Sequence, residues 1–374
     1  MRKIGVEEEL MLVDPETFQV TGVSAKALRA REEAVDRGEA SATEAPVDQE
    51  LFLQQIETAT KPVERVSELL PEIVRGRCAV GEAARSAGAA AVAVPTPVLS
   101  SPEPVVTRKD RYLRLADEYG EMSRQSFLCG MHVHVDIHSE EEGVRALDGI
   151  RPWLPTLLAI SANSPFFEGR DTRHASWRSQ TWNRWPTSGP AEPFGDVESY
   201  RATLARMIEW GAAADDGMIY LDARLSATYP TLEIRVADVC TEVEDAALVA
   251  TLGRALVETA AQGTDGPEWR SDLLRAAGYR ASRFGVTDQL VNPLTREVAP
   301  ARQVFEALRS FVEPALREAG DWEWTEDTFE RLLSRGSGAA RQRSAFEASG
   351  SVEGVVKDLI ERTEMSWAQA AGAA

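Results

Sequence analysis

The stretch Cys129-Gly130-Met131-His132-Val133-His134-Val135-Asp136-Ile137-His138 decides how the rest of the chain is read. Its strict alternation is that of a β-strand, whose successive side chains point to opposite faces. Val133, Val135 and Ile137 then face a core, while His132, His134, Asp136 and His138 share the other side. Three of the chain's four histidines fall in this one run. Histidine is a common metal ligand, and two imidazoles two residues apart on a strand stand side by side. The competing reading is a polar face satisfied by hydrogen bonds alone.

Outward from this strand, the same period-two pattern predicts strands at residues 3–13, 52–58, 89–94, 217–225 and 231–236, with the histidine strand spanning 127–137. Helices announce themselves by caps. Ser139 and Glu142 form a capping box that opens a helix toward Ile160, and Thr241 with Glu244 opens another through Val257. Asp196 caps a helix to Trp210. A helix after Pro62 runs toward Gly88 with Pro71 as a candidate kink. From Pro300 onward the chain reads as helix, with breaks at 321–325 and 335–338. Strands dominate the first two thirds and do not alternate with crossover helices, so the predicted class is α+β, not a doubly wound sheet. With no internal repeat and no long linker, residues 1–374 read as one domain with a helical C-terminal portion.

Composition narrows the function. The chain has 374 residues, with 60 Asp+Glu against 41 Lys+Arg and a net charge of −19. That charge repels phosphate backbones and argues against nucleic-acid partners. Three widely spaced cysteines in no CxxC pair argue against a disulfide scaffold or a cysteine-built zinc site, and for a reducing cytoplasm. The opening Met1-Arg2-Lys3-Ile4-Gly5-Val6-Glu7-Glu8-Glu9 puts acids where a signal peptide needs its apolar stretch. No run reaches the ~18 apolar residues of a membrane span. Neither GxxxxGK[ST] nor GxGxxG occurs, so a nucleotide would have to be held by metals and arginines.

Four further segments carry chemistry. On the first strand Glu7 and Glu9 share a face and Glu8 points away. Two carboxylates roughly 6.5–7 Å apart on a partly buried face repel each other, and Mg²⁺ would relieve the repulsion. The alternative is an exposed acidic edge. In residues 230–238, Leu232, Ile234 and Val236 form the apolar face, and Glu233 and Arg235 share the other. A carboxylate for a metal and a guanidinium for a phosphoryl oxygen are what phosphoryl transfer requires, although such a pair is also an ordinary ion pair. Residues 169–190 hold Arg170, Arg173, Arg178 and Arg184 with one acid, interleaved with Trp177, Trp182 and Trp185. They read as an ordered binding loop that is neither helix nor strand, or else as a stacked Arg–Trp surface or subunit contact. Finally, residues 48–60 carry Glu50 and Glu57, and Glu57 in its apolar setting needs a partner or a metal.

Taken together, the segments GVEEEL, QQIETAT, CGMHVHVD, NSPF…GRD…WRSQ…RWPTSGP and TLEIRVADVC, in that order, resemble the type 2 glutamate–cysteine ligase family of ATP-dependent carboxylate–amine ligases. The resemblance runs over nearly the whole chain. It implies a glutamine synthetase/guanido kinase-like core: a curved, mainly antiparallel sheet whose concave face binds ATP and divalent metals. It also implies Glu7, His132 and Glu233 as ligands of one Mg²⁺ (or Mn²⁺), and Glu9 with Glu57 and Glu50 as ligands of a second. Arg235 is then the arginine on the transferring phosphate, Arg178 the one near the acceptor carboxylate, and Arg170 and Arg184 further nucleotide contacts. His134 stands where classical members often carry a non-histidine residue. The implied partners are small-molecule carboxylate and amine substrates, with no nucleic acid and no membrane, in a cytoplasmic homodimer. The implied reaction moves the γ-phosphoryl group to a carboxylate and lets an amine displace phosphate. A metal-dependent amidohydrolase using the HxH strand, or a non-catalytic nucleotide-binding relative, are the alternatives.

Overall fold

The computed structural model describes residues 1–38, 45–100, 102–263 and 268–371, with side chains through residue 367. The first half contains β1 (Ile4–Val13), α1 (Ser24–Asp36), β2 (Val47–Gln49), β3 (Gln55–Ala59), α2 (Val66–Ser86), β4 (Ala90–Val92), α3 (Asp110–Tyr119), α4 (Glu121–Arg124) and β5 (Met131–Asp136). Next come α5 (Glu140–Ile150), α6 (Leu154–Ser161), β6 (Phe166–Phe167), β7 (Arg170–Asp171), α7 (Trp177–Trp182), α8 (Val197–Glu209), β8 (Ala223–Leu225) and β9 (Thr231–Ile234). The chain closes with α9 (Val243–Ala261), α10 (Ser271–Phe284), β10 (Gln289–Val291), β11 (Val298–Pro300), α11 (Ala301–Ala319), α12 (Trp322–Arg335), α13 (Gly338–Ser349) and α14 (Val352–Ala371).

The main sheet runs β2-β3-β1-β5-β9-β8, and β4 pairs with the far end of β1. Every pairing in it is antiparallel, so the class is α+β as the strand pattern predicts. Alternation sorts the faces. Ile4, Val6, Leu10 and Leu12 of β1, Met131, Val133 and Val135 of β5, and Leu232 and Ile234 of β9 all join the main apolar core. The helices α2, α9 and α14 pack on that side. Gly253 of α9 lets the helix approach closely: a Cβ there would come to 2.9 Å from Ile234 Cδ1. The other face carries the polar residues of the same strands.

Several elements differ from expectation for identifiable reasons. The helix begun at Ser139 stops at Ile150 and passes through a 3₁₀ turn, Arg151–Trp153, before α6, because Pro152 and Pro155 withhold backbone donors. Thr241 does not cap α9. Its hydroxyl donates to the Ala93 carbonyl instead, and the helix starts after Glu242. Asp196 does cap α8, accepting from the Ser199 amide. Pro71 sits inside α2 without ending it. The run 217–225 is strand only over its last three residues. Arg224 Nη1 gathers the carbonyls of Asp216, Gly217 and Ile219 and curls the preceding chain into a turn. The short strand β2 and the helices α1, α3 and α4 have no counterpart in the sequence pattern. The loop 169–190 contains the helix α7, capped by Ser176, and the strand β7. Among the described residues no helix is long and apolar enough to cross a membrane.

Candidate active site on the polar face of the sheet

Antiparallel register sets the site. Glu7 stands opposite His132, His134 opposite Glu233, Glu9 opposite Glu57, and Arg224 opposite Glu233. Directly opposed residues share a face, so these strands deliver their polar side chains to one place. They line a cleft of about 290 Å³, together with Glu50 and Arg235.

Two donor groups form there. Glu7, His134 and Glu233 each offer an atom within 4.8 Å of the others, and so do Glu9, Glu50 and Glu57. His132 flanks the first group, with Nδ1 3.3 Å from Glu7 and 3.9 Å from Glu233. His134 Nε2 lies 3.4 Å from Glu7, and its Nδ1 lies 2.9 Å from the Thr231 hydroxyl. Burial alone would raise the Glu7 carboxyl, but the two imidazoles outweigh it and hold that group well below the usual carboxylate range. Glu233 behaves likewise. Burial opposes its charge, and Arg235, Arg224 and His132 overcome the penalty. Arg224 grips it through Nε at 2.7 Å and Nη2 at 3.4 Å, and Arg235 Nη1 donates to its Oε1.

The second group is electrostatically the reverse. Burial pushes Glu57 up, and its hydrogen bond with Glu50 and that neighbour's charge push it further. Burial and the Glu50 charge likewise raise Glu9, although the Gly130 amide donates to Glu9 Oε2 at 2.7 Å. Among the described residues, none of the three carries an ion pair.

Arginine placement separates the candidates. Arg235 lines the cleft and lies 5.8 Å from the Tyr220 ring. Arg178 is only 3% exposed and lies behind the cleft with Arg235, in a small cavity of about 30 Å³. A Cβ on Gly130 would collide with its guanidinium, so the glycine before the histidine strand is what admits it. Arg170 and Arg184 do not line the cleft. Arg170 sits exposed on the β6–β7 hairpin, and Arg184 is exposed and donates to Gln125. Compaction of the loop into α7 turns Trp182 and Trp185 inward against Tyr220, at 4.8 and 5.2 Å, and leaves those two arginines outside. The remaining histidines also stay apart. His138 is 76% exposed beside Glu142, and His174 packs on Trp177 and Tyr279. The additional histidines of a hydrolase site therefore do not assemble among the described residues.

Sequence reasoning missed Arg224, Arg111, Tyr112 and Tyr220, which all line the cleft. Arg224 had a signal, since it lies one tight turn from Glu233. Arg111 and Tyr112 come from α3, which has no counterpart in the sequence pattern, and Tyr220 from the part of the run 217–225 that is not strand.

Residues 3–358 match the profile of glutamate–cysteine ligase family 2. A candidate glutamate–cysteine ligase 2-1 of Nocardioides sp. is 50% identical over 372 residues, covering 98% of this chain and 97% of the relative. A second, from Streptomyces avermitilis, is 44% identical over 97% of this chain and 100% of the relative. The fold is similar to a bifunctional glutathione synthetase from Pasteurella multocida (TM-score 0.66, 15% identity), covering 99% of this chain but 52% of that one. It is also similar to a glutamate–cysteine ligase from Francisella tularensis in complex with AMP (TM-score 0.57, 12% identity; 99% and 94% covered). The chain belongs to glutamate–cysteine ligase family 2.

Proposed function

We propose that the chain is a cytoplasmic ATP-dependent carboxylate–amine ligase that activates a carboxylate as an acyl phosphate and joins it to an amine, with glutamate and cysteine as the substrate pair its family is named for. One observation carries this reading: five carboxylates, two imidazoles and two buried arginines converge in a single cleft from strands far apart in sequence.

The donor set fits divalent cations. Glu9, Glu50 and Glu57 crowd together with no ion pair among the described residues, and Glu7 and Glu233 add oxygens beside two imidazoles. Cations bound there would neutralise the phosphates and polarise the transferring group. The rest falls to the chain itself. Arg235, fixed at one end by Glu233, keeps its other donors for a phosphoryl oxygen. Arg224 clamps the same carboxylate from the neighbouring strand and so sets the position of both. Trp182, Trp185 and Tyr220 wall one end of the cleft and keep water from the reacting carboxylate. A free carboxylate is a poor acyl donor because oxide is a poor leaving group. Phosphorylation substitutes phosphate, which the amine then displaces, with the amine proton released.

The test is phosphate release from ATP with a divalent cation, glutamate, and a panel of amines led by cysteine. Amine-dependent release with amide product is the expected result. Glu7→Gln, Glu233→Gln and Arg235→Ala should each lower it by about a thousandfold or more while leaving circular dichroism unchanged. Amide formation at the wild-type rate in any of these variants would remove that residue from the mechanism. Hydrolysis of amides without nucleotide would replace the reading altogether.

A further inference from the structure

Asp238 follows β9 on the same stretch as Glu233 and Arg235, and it is fully buried. Its backbone pairs with Gly130, the glycine that admits the Arg178 guanidinium. Its Oδ2 accepts from the Asn163 amide at 2.9 Å and from the Ser164 hydroxyl at 2.8 Å. Its Oδ1 accepts from the Ser176 hydroxyl at 2.9 Å. Those two serines hold the start of α7. Ser164 Oγ accepts from the Arg178 amide at 3.0 Å, and Ser176 caps the helix by accepting from the Ser179 amide. Through two hydroxyls, Asp238 therefore fixes the helix that carries Arg178.

The Arg178 guanidinium itself is left unfinished. Its Nη1 and Nη2 reach the carbonyls of Val236 and Arg235 only at 3.5 and 3.4 Å, and its buried Nε has no hydrogen-bond partner. It lines the small cavity behind the cleft together with Arg235, whose Nε is also buried and without a partner. A buried guanidinium needs a counter-charge, but a carboxylate in fork contact would use up its donors. Asp238 stands off at 3.9 Å, which balances the charge and leaves the donors open.

We propose that Asp238 is a positioning residue: acting through Ser164 and Ser176, it holds Arg178 where its open donors meet a substrate carboxylate, and it never touches that substrate itself. The proposal rests on the carboxylate-activating part of the function proposed above and deepens it. An acid that served the fold alone would be replaced well by its amide. Asn at 238 keeps an oxygen for the Asn163 amide and Ser164, and its NH₂ can donate to Ser176 Oγ where the acid accepted. What the amide lacks is the charge that balances Arg178.

The test is glutamate binding by calorimetry, in the presence of Mg²⁺ and a non-hydrolysable ATP analogue, with the KM values for glutamate and ATP measured beside it. Asp238→Asn should weaken glutamate binding and raise its KM by about tenfold or more, while the KM for ATP stays within about twofold. Arg178→Gln should weaken glutamate to a similar degree. The double variant should be little worse than either single one, because a residue that acts through another loses its effect once that other is gone. Unchanged glutamate affinity in Asp238→Asn, equal losses for glutamate and ATP, losses that add in the double variant, or a wild-type protein that binds no glutamate would each overturn the proposal. If Asp238→Asn fails to fold, Ser164→Ala decides: it should weaken glutamate selectively by a smaller factor, and no selective effect there overturns the proposal too. Failure of the ligase reading looks different, because glutamate would still bind in an Asp238-dependent way while no amide formed.

Discussion

Glu8 and Glu9 are neighbours on one strand, and both carboxylates lie in buried surroundings, yet the fold treats them in opposite ways. Glu8 is 2% exposed on the core side and meets the fully buried Arg77, whose Nε and Nη2 donate at 2.9 and 2.6 Å. Arg77 then uses its remaining donors on the carbonyls of Cys240 and Thr241, both at 2.6 Å, tying α2 to the chain that enters α9. That charge is settled inside the protein. Glu9 faces the cleft, where its closest company is Glu50 and Glu57 and its one strong donor is a backbone amide. A buried pair is closed chemistry, and a half-buried cluster of like charges is open chemistry awaiting something positive.

The largest expected effect breaks the closed side. Arg77→Ala leaves Glu8 buried and unpaired and should destabilise the protein by about 3–5 kcal/mol, read from denaturant unfolding. Wild-type stability would mean that Glu8 finds another partner.

The open side should respond in the other direction. Glu57→Gln removes one of three crowded carboxylates. The cation-free protein should lose no stability, while the upward melting shift given by Mg²⁺ or Mn²⁺ shrinks. An unchanged shift would place the cation elsewhere.

Acidity sharpens the contrast further. Glu57 and Glu9 hold protons to higher pH folded than unfolded. Without cations they therefore make the protein less stable as pH rises from about 4.5 through their raised values. Glu7 and Glu233 are depressed, so their contribution is complete above about 4.5 and fades as pH falls below it. Unfolding curves across pH should show both trends, and divalent cations should abolish only the first. The smallest effect is expected from Arg170→Ala and Arg184→Ala, which lie outside the cleft. Each should change stability by no more than about 0.5 kcal/mol and leave nucleotide binding as it was.

Strand alternation makes half of this contrast legible in the amino-acid sequence. It separates Glu8 from Glu7 and Glu9, puts His132 and His134 on one side, and groups Glu233 with Arg235. The identity of the partners is not legible there, because register joins residues that sequence distance hides. Arg77 comes from a helix, and nothing local marks it as the partner of Glu8. The arginine-rich loop resists reading for a related reason. Its irregular composition conceals the helix Trp177–Trp182, whose formation decides which arginines face inward. The same holds for Arg224, whose carbonyl contacts turn an apparent strand into a turn that helps wall the cleft.

The most direct test of the central claim is a crystal of the protein with Mn²⁺ and a non-hydrolysable ATP analogue, read by anomalous scattering from manganese. The account predicts separate manganese peaks against Glu9, Glu50 and Glu57 and against Glu7 and Glu233, with the analogue's phosphates reaching toward Arg235. Nucleotide bound away from this cleft, or clear nucleotide density with no manganese among these carboxylates, would contradict it.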